Sequence, residues 1–168
     1  MAAKVGVVFG SDSDWGVMKA CVEQLDAFGV EADVQIMSSH RSPTKVHEYA
    51  SGAAGRGLEV IIAGAGMSAA LAGTIAAVTR LPVIGVPIAS GPLAGVAALL
   101  STVQMPPGVP VAAVGIGAAG ARNAAVLAAQ MLALKDPEMA EQVEIYKRKL
   151  AESVDSKNQI LQEKLRRE

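Results

Sequence analysis

The chain has 168 residues, a formal net charge of −1 and a single cysteine, Cys21. This length suits one domain, expected to span residues 1–168, with a sizeable buried core. The near-neutral charge argues against binding to nucleic acid or to an acidic membrane surface, and one cysteine excludes an intramolecular disulfide or a zinc cluster.

Short apolar runs alternate with longer helical stretches along the chain. In chain order, the first half is predicted to form a strand at 4–9, a helix at 14–28 capped by Gly29, a strand at 32–37, and a helix from Ser42-Pro43 to about 56. The second half is predicted to form strands at 60–63, 83–86 and 111–114, each followed by a helix, at 69–78, 93–103 and 119–134. A last helix begins at Asp136-Pro137 and reaches about residue 164.

Strands that alternate with helices indicate an α/β domain with a parallel sheet covered on both faces. We expect a three-layer flavodoxin-like or Rossmann-like sheet with a C-terminal helical extension. The segment 136–168 is highly charged and has no obvious surface left to cover in its own domain, so it is predicted to pack on a neighbouring subunit. The hydrophobic content of 51% also favours a homo-oligomer.

The middle third of the chain is almost free of charge. Between Glu59 and Arg122 the only charged side chain is Arg80. Prolines interrupt this run repeatedly, and a membrane-spanning helix needs about 20 consecutive apolar residues. We therefore interpret the run as buried sheet and helix. Because the first residues also contain no secretory signal, the expected setting is the cytoplasm.

The loop after the first strand has the residues of an anion site. Ligands of open parallel sheets bind beyond the carboxyl ends of the strands. Ser11 and Ser13 bring hydroxyls to a helix N-terminus, where free amides favour phosphate, and Asp14 can accept hydrogen bonds from a ribose diol. Simple helix capping by the same residues is the alternative.

The loops after the second and third strands add different chemistry. His40 lies between a strand and a helix, where an imidazole suits proton transfer at neutral pH, and Arg41 offers a forked donor for phosphate. A surface His-Arg pair is the alternative, and His47 is predicted to lie on a solvated helix face. The small residues of 64–73 would let a planar base approach closely, although tight helix-to-sheet packing explains them nearly as well.

A glycine pattern near the C-terminal part is a poor guide to function. Residues 115–120 match Gly-x-Gly-x-x-Gly after a strand, but the acidic residue that should end the next strand is missing, since Asp136 lies beyond a helix. We therefore do not expect a nicotinamide or flavin. The two histidines have no carboxylate cluster nearby, so no metal and no other cofactor is expected either.

Several segments together resemble the PurE family of 5-(carboxyamino)imidazole ribonucleotide mutases. The signatures Gly-Ser-x-Ser-Asp-Trp after the first strand and Ser-x-His-Arg-x-Pro after the second are similar to those of the family. Further similar segments lie at 60–66, 81–87, 103–110 and 123–130. The resemblance extends from about residue 4 to residue 149, and the order and spacing of the segments make it specific.

The resemblance implies a homo-octamer of a purine-synthesis enzyme that needs no cofactor. It implies that His40 transfers the proton in an intramolecular carboxylate transfer, an isomerase reaction that passes through carbon dioxide. The other site residues implied for the ribonucleotide substrate, including its ribose phosphate and aminoimidazole, are Ser11, Asp14, Ser38, Arg41, Ala65, Gly66 and Leu71. Ser13 is expected beside them because its hydroxyl lies in the same first loop.

The third loop departs from the mutase pattern. Most mutases carry a histidine where this chain has Ala70, and the segment 64–73 is closer to the carboxylase branch, lyases that use free carbon dioxide. Arg41, however, is typical of mutases, since the carboxylases usually place a lysine there. A mutase is the leading prediction because more of the chain resembles that branch. The direct carboxylase and a nucleotide-binding module without chemistry are the alternatives.

Overall fold

A five-stranded parallel sheet forms the centre of the computed structural model, which describes residues 3–167. The strands are β1 (Val5–Phe9), β2 (Ala32–Ile36), β3 (Val60–Ala65), β4 (Val83–Pro87) and β5 (Ala112–Ala113), in the spatial order β2-β1-β3-β4-β5. The helices are α1 (Trp15–Ala27), α2 (Pro43–Gly52), α3 (Leu71–Ala76), α4 (Val96–Val103), α5 (Ala118–Ala133) and α6 (Pro137–Leu165). This order is that of a flavodoxin-like sheet, so the predicted α/β fold is confirmed.

The inner strands β1, β3 and β4 are buried on both faces of the sheet, and their successive side chains point to opposite sides. In β3, Val60 and Ile62 join a core cluster with α1 and α5, whereas Ile61 and Ala63 join a second cluster with α2 and α3.

The uncharged segments 60–65 and 83–87 thus form buried strands, as predicted. Much of 91–119, including parts of α4, is exposed instead, so the expectation of a buried run is wrong there for the single chain. None of the helices within 3–167 is both long and apolar enough to cross a membrane.

The helix boundaries follow the predicted capping signals closely. Gly29 has a left-handed φ of 70° and its N–H donates to Asp26, as expected of a residue that ends a helix. Pro43 occupies the first turn of α2, and Asp136 caps α6 by accepting a hydrogen bond from the N–H of Met139 at 3.2 Å. Local capping chemistry therefore explains where most connections begin.

Helices α2, α3 and α4 and strand β5 are clearly shorter than predicted. Helix α4 begins only at Val96, because Ala94 and Gly95 have left-handed φ values of 47° and 86°. Helix α2 ends at Gly52 in a short 3-10 turn, and α3 covers only six residues. Strand β5 is an edge strand whose ladder is limited to two residues opposite Ile84 and Gly85.

The C-terminal helix corrects one prediction. Its first turns do pack on their own domain: Val143 is 7% exposed in the α1–α5 core cluster, and Tyr146 meets the ring of Phe28 edge-on at 5.2 Å. The expectation that it had nothing left to cover is wrong there, because α1 and α5 leave an apolar surface. From Leu150 to Leu165, however, its apolar side chains are exposed, and their packing on a neighbouring subunit stays a prediction.

Small residues allow α5 to lie close to the sheet. The helix buries a face of alanines between α1 and the strands, and Gly120 in its first turn is also buried. A Cβ on Gly120 would lie 1.6 Å from the carbonyl oxygen of Gly115. Gly120, the last glycine of the 115–120 pattern, therefore serves a close approach between a loop and a helix.

Gly120→Ala is expected to lower the midpoint of thermal unfolding. Alanine ordinarily stabilises a helix interior relative to glycine, but here the added methyl would displace backbone, at a cost of about 1–3 kcal/mol. Gly16→Ala is the matched control, because nothing lies within 4 Å of its Cβ position in α1. Its midpoint should stay level or rise, and an equal rise for both variants would contradict the close-approach argument.

Candidate functional site

A cavity of about 410 Å³ lies at the carboxyl edge of the sheet, where the loops after four strands meet. Strand β1 lies between β2 and β3, so the loops that follow these three strands are neighbours. The residues that line the cavity are Gly10, Ser11, Ser13, Asp14, Ser38, Ser39, His40, Arg41, Ala65, Gly66, Met67, Ser68, Ala70, Leu71 and Ser90. This is the position at which open parallel sheets bind ligands.

The loop after β1 is a compact network of hydroxyls. Ser13 donates its hydroxyl to Ser11 Oγ at 2.9 Å, and Ser11 in turn donates to Asp12 Oδ1 at 3.0 Å. The N–H of Ser13 points at the same two oxygens, at 3.4 and 3.0 Å. The serines therefore cap the short turn that leads into α1 and also line the cavity, so capping and ligand binding are compatible.

Asp14 is the buried carboxylate of the cavity, with only 8% of its surface exposed. Burial raises the pKa of Asp14, while main-chain hydrogen bonds from Ser11 and Gly10 and the charge of Arg41 act in the opposite direction. The carboxylate is thus held by nearby donors in a partly desolvated place. Such a group gains by accepting hydrogen bonds from a ligand's hydroxyls.

The loop after β2 is a tight turn closed by Ser42. Its hydroxyl accepts from the N–H of Ser38 at 3.0 Å and donates to the carbonyl of Ser38 at 3.1 Å, instead of capping α2 directly. Ser38 Oγ accepts from the N–H of Arg41 at 3.3 Å. These contacts fix the turn that presents His40, which is exposed at the cavity.

Arg41 links the first two loops. Its Nη2 donates to the carbonyl oxygen of Gly10 at 2.9 Å. That bond uses one of the five N–H groups of a guanidinium, and the planar fork is well suited to phosphate. Arg41 therefore places a positive charge beside the serine hydroxyls of the first loop.

Ser39 carries a polar atom that the rest of the loop does not satisfy. Among the described residues, its Oγ is buried without a hydrogen-bond partner, although the residue lines the cavity. A buried hydroxyl left unpaired costs free energy. Sequence reasoning did not single out Ser39, since a serine between Ser38 and His40 looks like ordinary loop polarity.

The loop after β3 forms a wall made of backbone and small side chains. Leu71 at its end is 2% exposed and belongs to the core, so it fixes the start of α3. The N–H of Ile88 donates to the carbonyl of Ala65 at 2.9 Å, which extends the β3–β4 ladder toward the loops. The N–H of Met67 donates to Ser90 Oγ at 3.0 Å.

Ser90 lines the cavity but was not predicted from the sequence as a site residue. It follows β4, in a loop with no charged residue and no histidine, so no chemical signal marked it. Its position after a strand that neighbours β3 in the sheet is the signal that could have found it.

The cavity brings together every residue predicted for the site, while their individual roles remain predictions. The glycine pattern at 115–120 does not contribute to it, and His47 is exposed on α2 as expected. In the described part of the chain, no three His, Cys, Asp or Glu side chains are grouped so as to hold a metal ion.

The chain is similar to known proteins over most of its length. It is 54% identical over 144 residues to an N5-carboxyaminoimidazole ribonucleotide mutase of Pyrococcus abyssi, covering 86% of this chain and 82% of the relative. It is 49% identical over 160 residues to the mutase of Thermotoga maritima, covering 95% and 92%. The crystal structure of Treponema denticola PurE superimposes with a TM-score of 0.84 at 29% identity, covering 92% and 96%.

A family model agrees with these relatives. The model described as AIR carboxylase matches residues 4–153, which includes every strand and every residue of the cavity. The chain therefore belongs to the AIR carboxylase family.

Proposed function

We propose that this chain is a 5-(carboxyamino)imidazole ribonucleotide mutase of purine biosynthesis. It would convert the carbamate ribonucleotide to 5-amino-1-(5-phosphoribosyl)imidazole-4-carboxylate. The observation that carries the proposal is a single cavity lined by one histidine, one arginine, two linked serines and a wall of small residues. Relatives named as mutases at about half identity over most of the chain support the same reaction.

The polar side of the cavity suits a ribose phosphate. Ser11 and Ser13 lie in the short turn that leads into α1, and Arg41 donates to Gly10 of the same loop. Hydroxyl and guanidinium groups that can donate hydrogen bonds to an anion therefore lie close together. Asp14, a buried carboxylate of the same cavity, would accept hydrogen bonds from the ribose hydroxyls. The base would then lie against the backbone of Ala65 and Gly66, where a flat ring can approach without meeting long side chains.

The reaction moves a carboxylate from the exocyclic nitrogen to the neighbouring ring carbon. The N–C bond of the carbamate breaks, carbon dioxide leaves, and the nitrogen takes a proton from the His40 imidazolium. The ring carbon then attacks the trapped carbon dioxide, a C–C bond forms, and the ring-carbon proton returns to His40. Atoms and charge balance without another reactant, and the cavity's part is to keep the two fragments in contact.

A direct carboxylase using free carbon dioxide is the second candidate. The observation that favours it is the third loop, where Ser68 and Ala70 line the cavity and no histidine is present. In that reaction the same His40 would remove the ring-carbon proton, so the roles of the first two loops would not change.

The active form is proposed to be a cytoplasmic homo-oligomer, an octamer by the family resemblance. The side chains of Val96, Leu100 and Val103 are spaced three or four residues apart on α4 and are 50%, 52% and 48% exposed. Leu93, just before the helix, is 62% exposed. A row of this kind is rarely left in water and favours subunit contact. The buried, free thiol of Cys21 suits a reducing compartment.

A paired turnover assay decides between the two reactions. Purified protein should convert the carbamate ribonucleotide rapidly, without nucleoside triphosphate, and aminoimidazole ribonucleotide with excess bicarbonate and carbonic anhydrase only slowly. The reverse preference would assign the chain to direct carboxylation. No carboxylated product from either substrate would contradict both.

His40→Asn should remove most of the turnover while nucleotide binding persists. Loss of the proton carrier is expected to reduce kcat by about 10²–10⁴-fold with the nucleotide affinity nearly unchanged. Arg41→Ala is the matched comparison, since it should instead weaken nucleotide binding by about 2–3 kcal/mol through loss of a charged donor. Isothermal titration and steady-state rates separate the two effects. Near-normal kcat in His40→Asn would refute the proton-transfer role.

Light scattering tests the assembly. The wild-type protein should elute as an oligomer, and Leu100→Asp should shift it to smaller species because a charge would enter the apolar row on α4. Leu134→Asp is the control, since Leu134 is 89% exposed outside that row and tolerates a polar replacement. A monomeric wild-type protein would rule out the oligomer.

A further inference from the structure

The loops after β3 and β4 are joined side by side at the cavity. Beyond the last ladder pair, Ala65 opposite Pro87, the N–H of Ile88 reaches the carbonyl of Ala65 at 2.9 Å. Two residues further along each loop, the N–H of Met67 donates to Ser90 Oγ at 3.0 Å. In this second contact the acceptor is a side-chain hydroxyl, whereas in the β3–β4 ladder the acceptors are main-chain carbonyls.

The contact acts on the strained residue of the third loop. Met67 has a φ of 53°, a left-handed conformation that side chains other than glycine rarely adopt. The residue is 57% exposed, and its sulfur lies against Gly91 of the loop after β4. The hydrogen bond from its N–H to Ser90 is therefore a principal constraint on the peptide between Gly66 and Met67.

The approach between the two loops is also sterically tight. A Cβ on Gly66 would lie 1.9 Å from Ser90 Oγ, and a Cβ on Gly91 would lie 2.4 Å from the sulfur of Met67. Gly66, Met67 and Ser90 all line the cavity. A shift of the Ser90 hydroxyl would thus be transmitted directly to the cavity wall.

We propose that Ser90 is a positioning residue. Its hydroxyl holds the Gly66–Met67 peptide in place and so fixes the cavity wall that the loop after β3 forms. This inference rests on the proposed function in one respect, that the wall receives the reacting base. Ser90 acts through the backbone of the neighbouring loop, and the N–H of Met67 is used in that contact rather than offered to the ligand.

Ser90→Ala should lower kcat by about 10- to 100-fold, because small displacements of a positioning wall cost that much. The KM should change by less than about threefold, since the phosphate-binding loops are untouched. The fold should survive, because the exposed Met67 lets water replace the lost acceptor. Ser101→Ala is the matched control: its hydroxyl bonds to Ala97 within α4, outside the cavity, and its rates should equal the wild type.

Met67→Gly supplies a second, independent variant. Glycine adopts positive φ without strain, so the conformation of the loop should depend less on the hydrogen bond to Ser90. The kcat loss caused by Ser90→Ala should therefore be smaller in the Met67→Gly background than in the wild type. An equal loss in both backgrounds would overturn the idea that the hydroxyl restrains a strained residue.

Hydrogen exchange separates this inference from the proposed function. In Ser90→Ala, mass spectrometry should show faster exchange of the Met67 amide by about tenfold, without faster exchange of β3. Unchanged exchange, or a raised KM at unchanged kcat, would overturn the positioning role. A wild-type protein inactive as a mutase would sink the proposed function alone, since the exchange result decides the restraint without turnover.

Discussion

The ladder of main-chain hydrogen bonds on both sides of β1 determines where the cavity-lining loops leave the sheet. Parallel strands end at one edge, and here the ladder runs on past the strands: Met37 donates to the carbonyl of Phe9, and Gly10 donates to the carbonyl of Gly64. Each loop therefore leaves the sheet at a defined height. Because β1 lies between β2 and β3, residues far apart in sequence, such as Asp14 and Arg41, can face one cavity.

Packing behind the sheet supports that geometry. The alanine face of α5 and the close approach of Gly120 to Gly115 keep α5 against α1 and the strands. The indole of Trp15, at the first residue of α1, stacks on Phe9 at the end of β1, with ring centroids 6.0 Å apart. The first turn of α1, where anions are favoured, is thus anchored to the strand that precedes it.

The sequence predicts the elements that depend on local chemistry. The caps at Gly29, Pro43 and Asp136, and the polar loops after β1 and β2, are signals carried by the residues themselves. The predicted site residues meet in one cavity because they follow neighbouring parallel strands, whose carboxyl ends lie at the same side of the sheet.

What could not be predicted depends on contacts between distant segments. Ser90 is an unremarkable loop serine until β4 is known to lie beside β3. The packing of Val143 and Tyr146 on their own domain needed the surface that α1 and α5 leave uncovered. The start of α4 shifted because two backbone conformations, at Ala94 and Gly95, override an apolar pattern that continues to Leu93.

The loop after β3 contributes to the cavity mainly through the position of its backbone, and that position has to be held by contacts with neighbouring residues. The first two loops line the cavity with charged and hydroxyl groups on flexible side chains, whose hydrogen bonds tolerate small adjustments. The third loop presents mainly backbone, so its contribution depends on where that backbone lies. A left-handed Met67 costs about 1–2 kcal/mol relative to the right-handed form, and persists only where neighbouring contacts fix it. The loop after β4 provides those contacts, which makes the least polar of the four loops a determinant of the cavity's form.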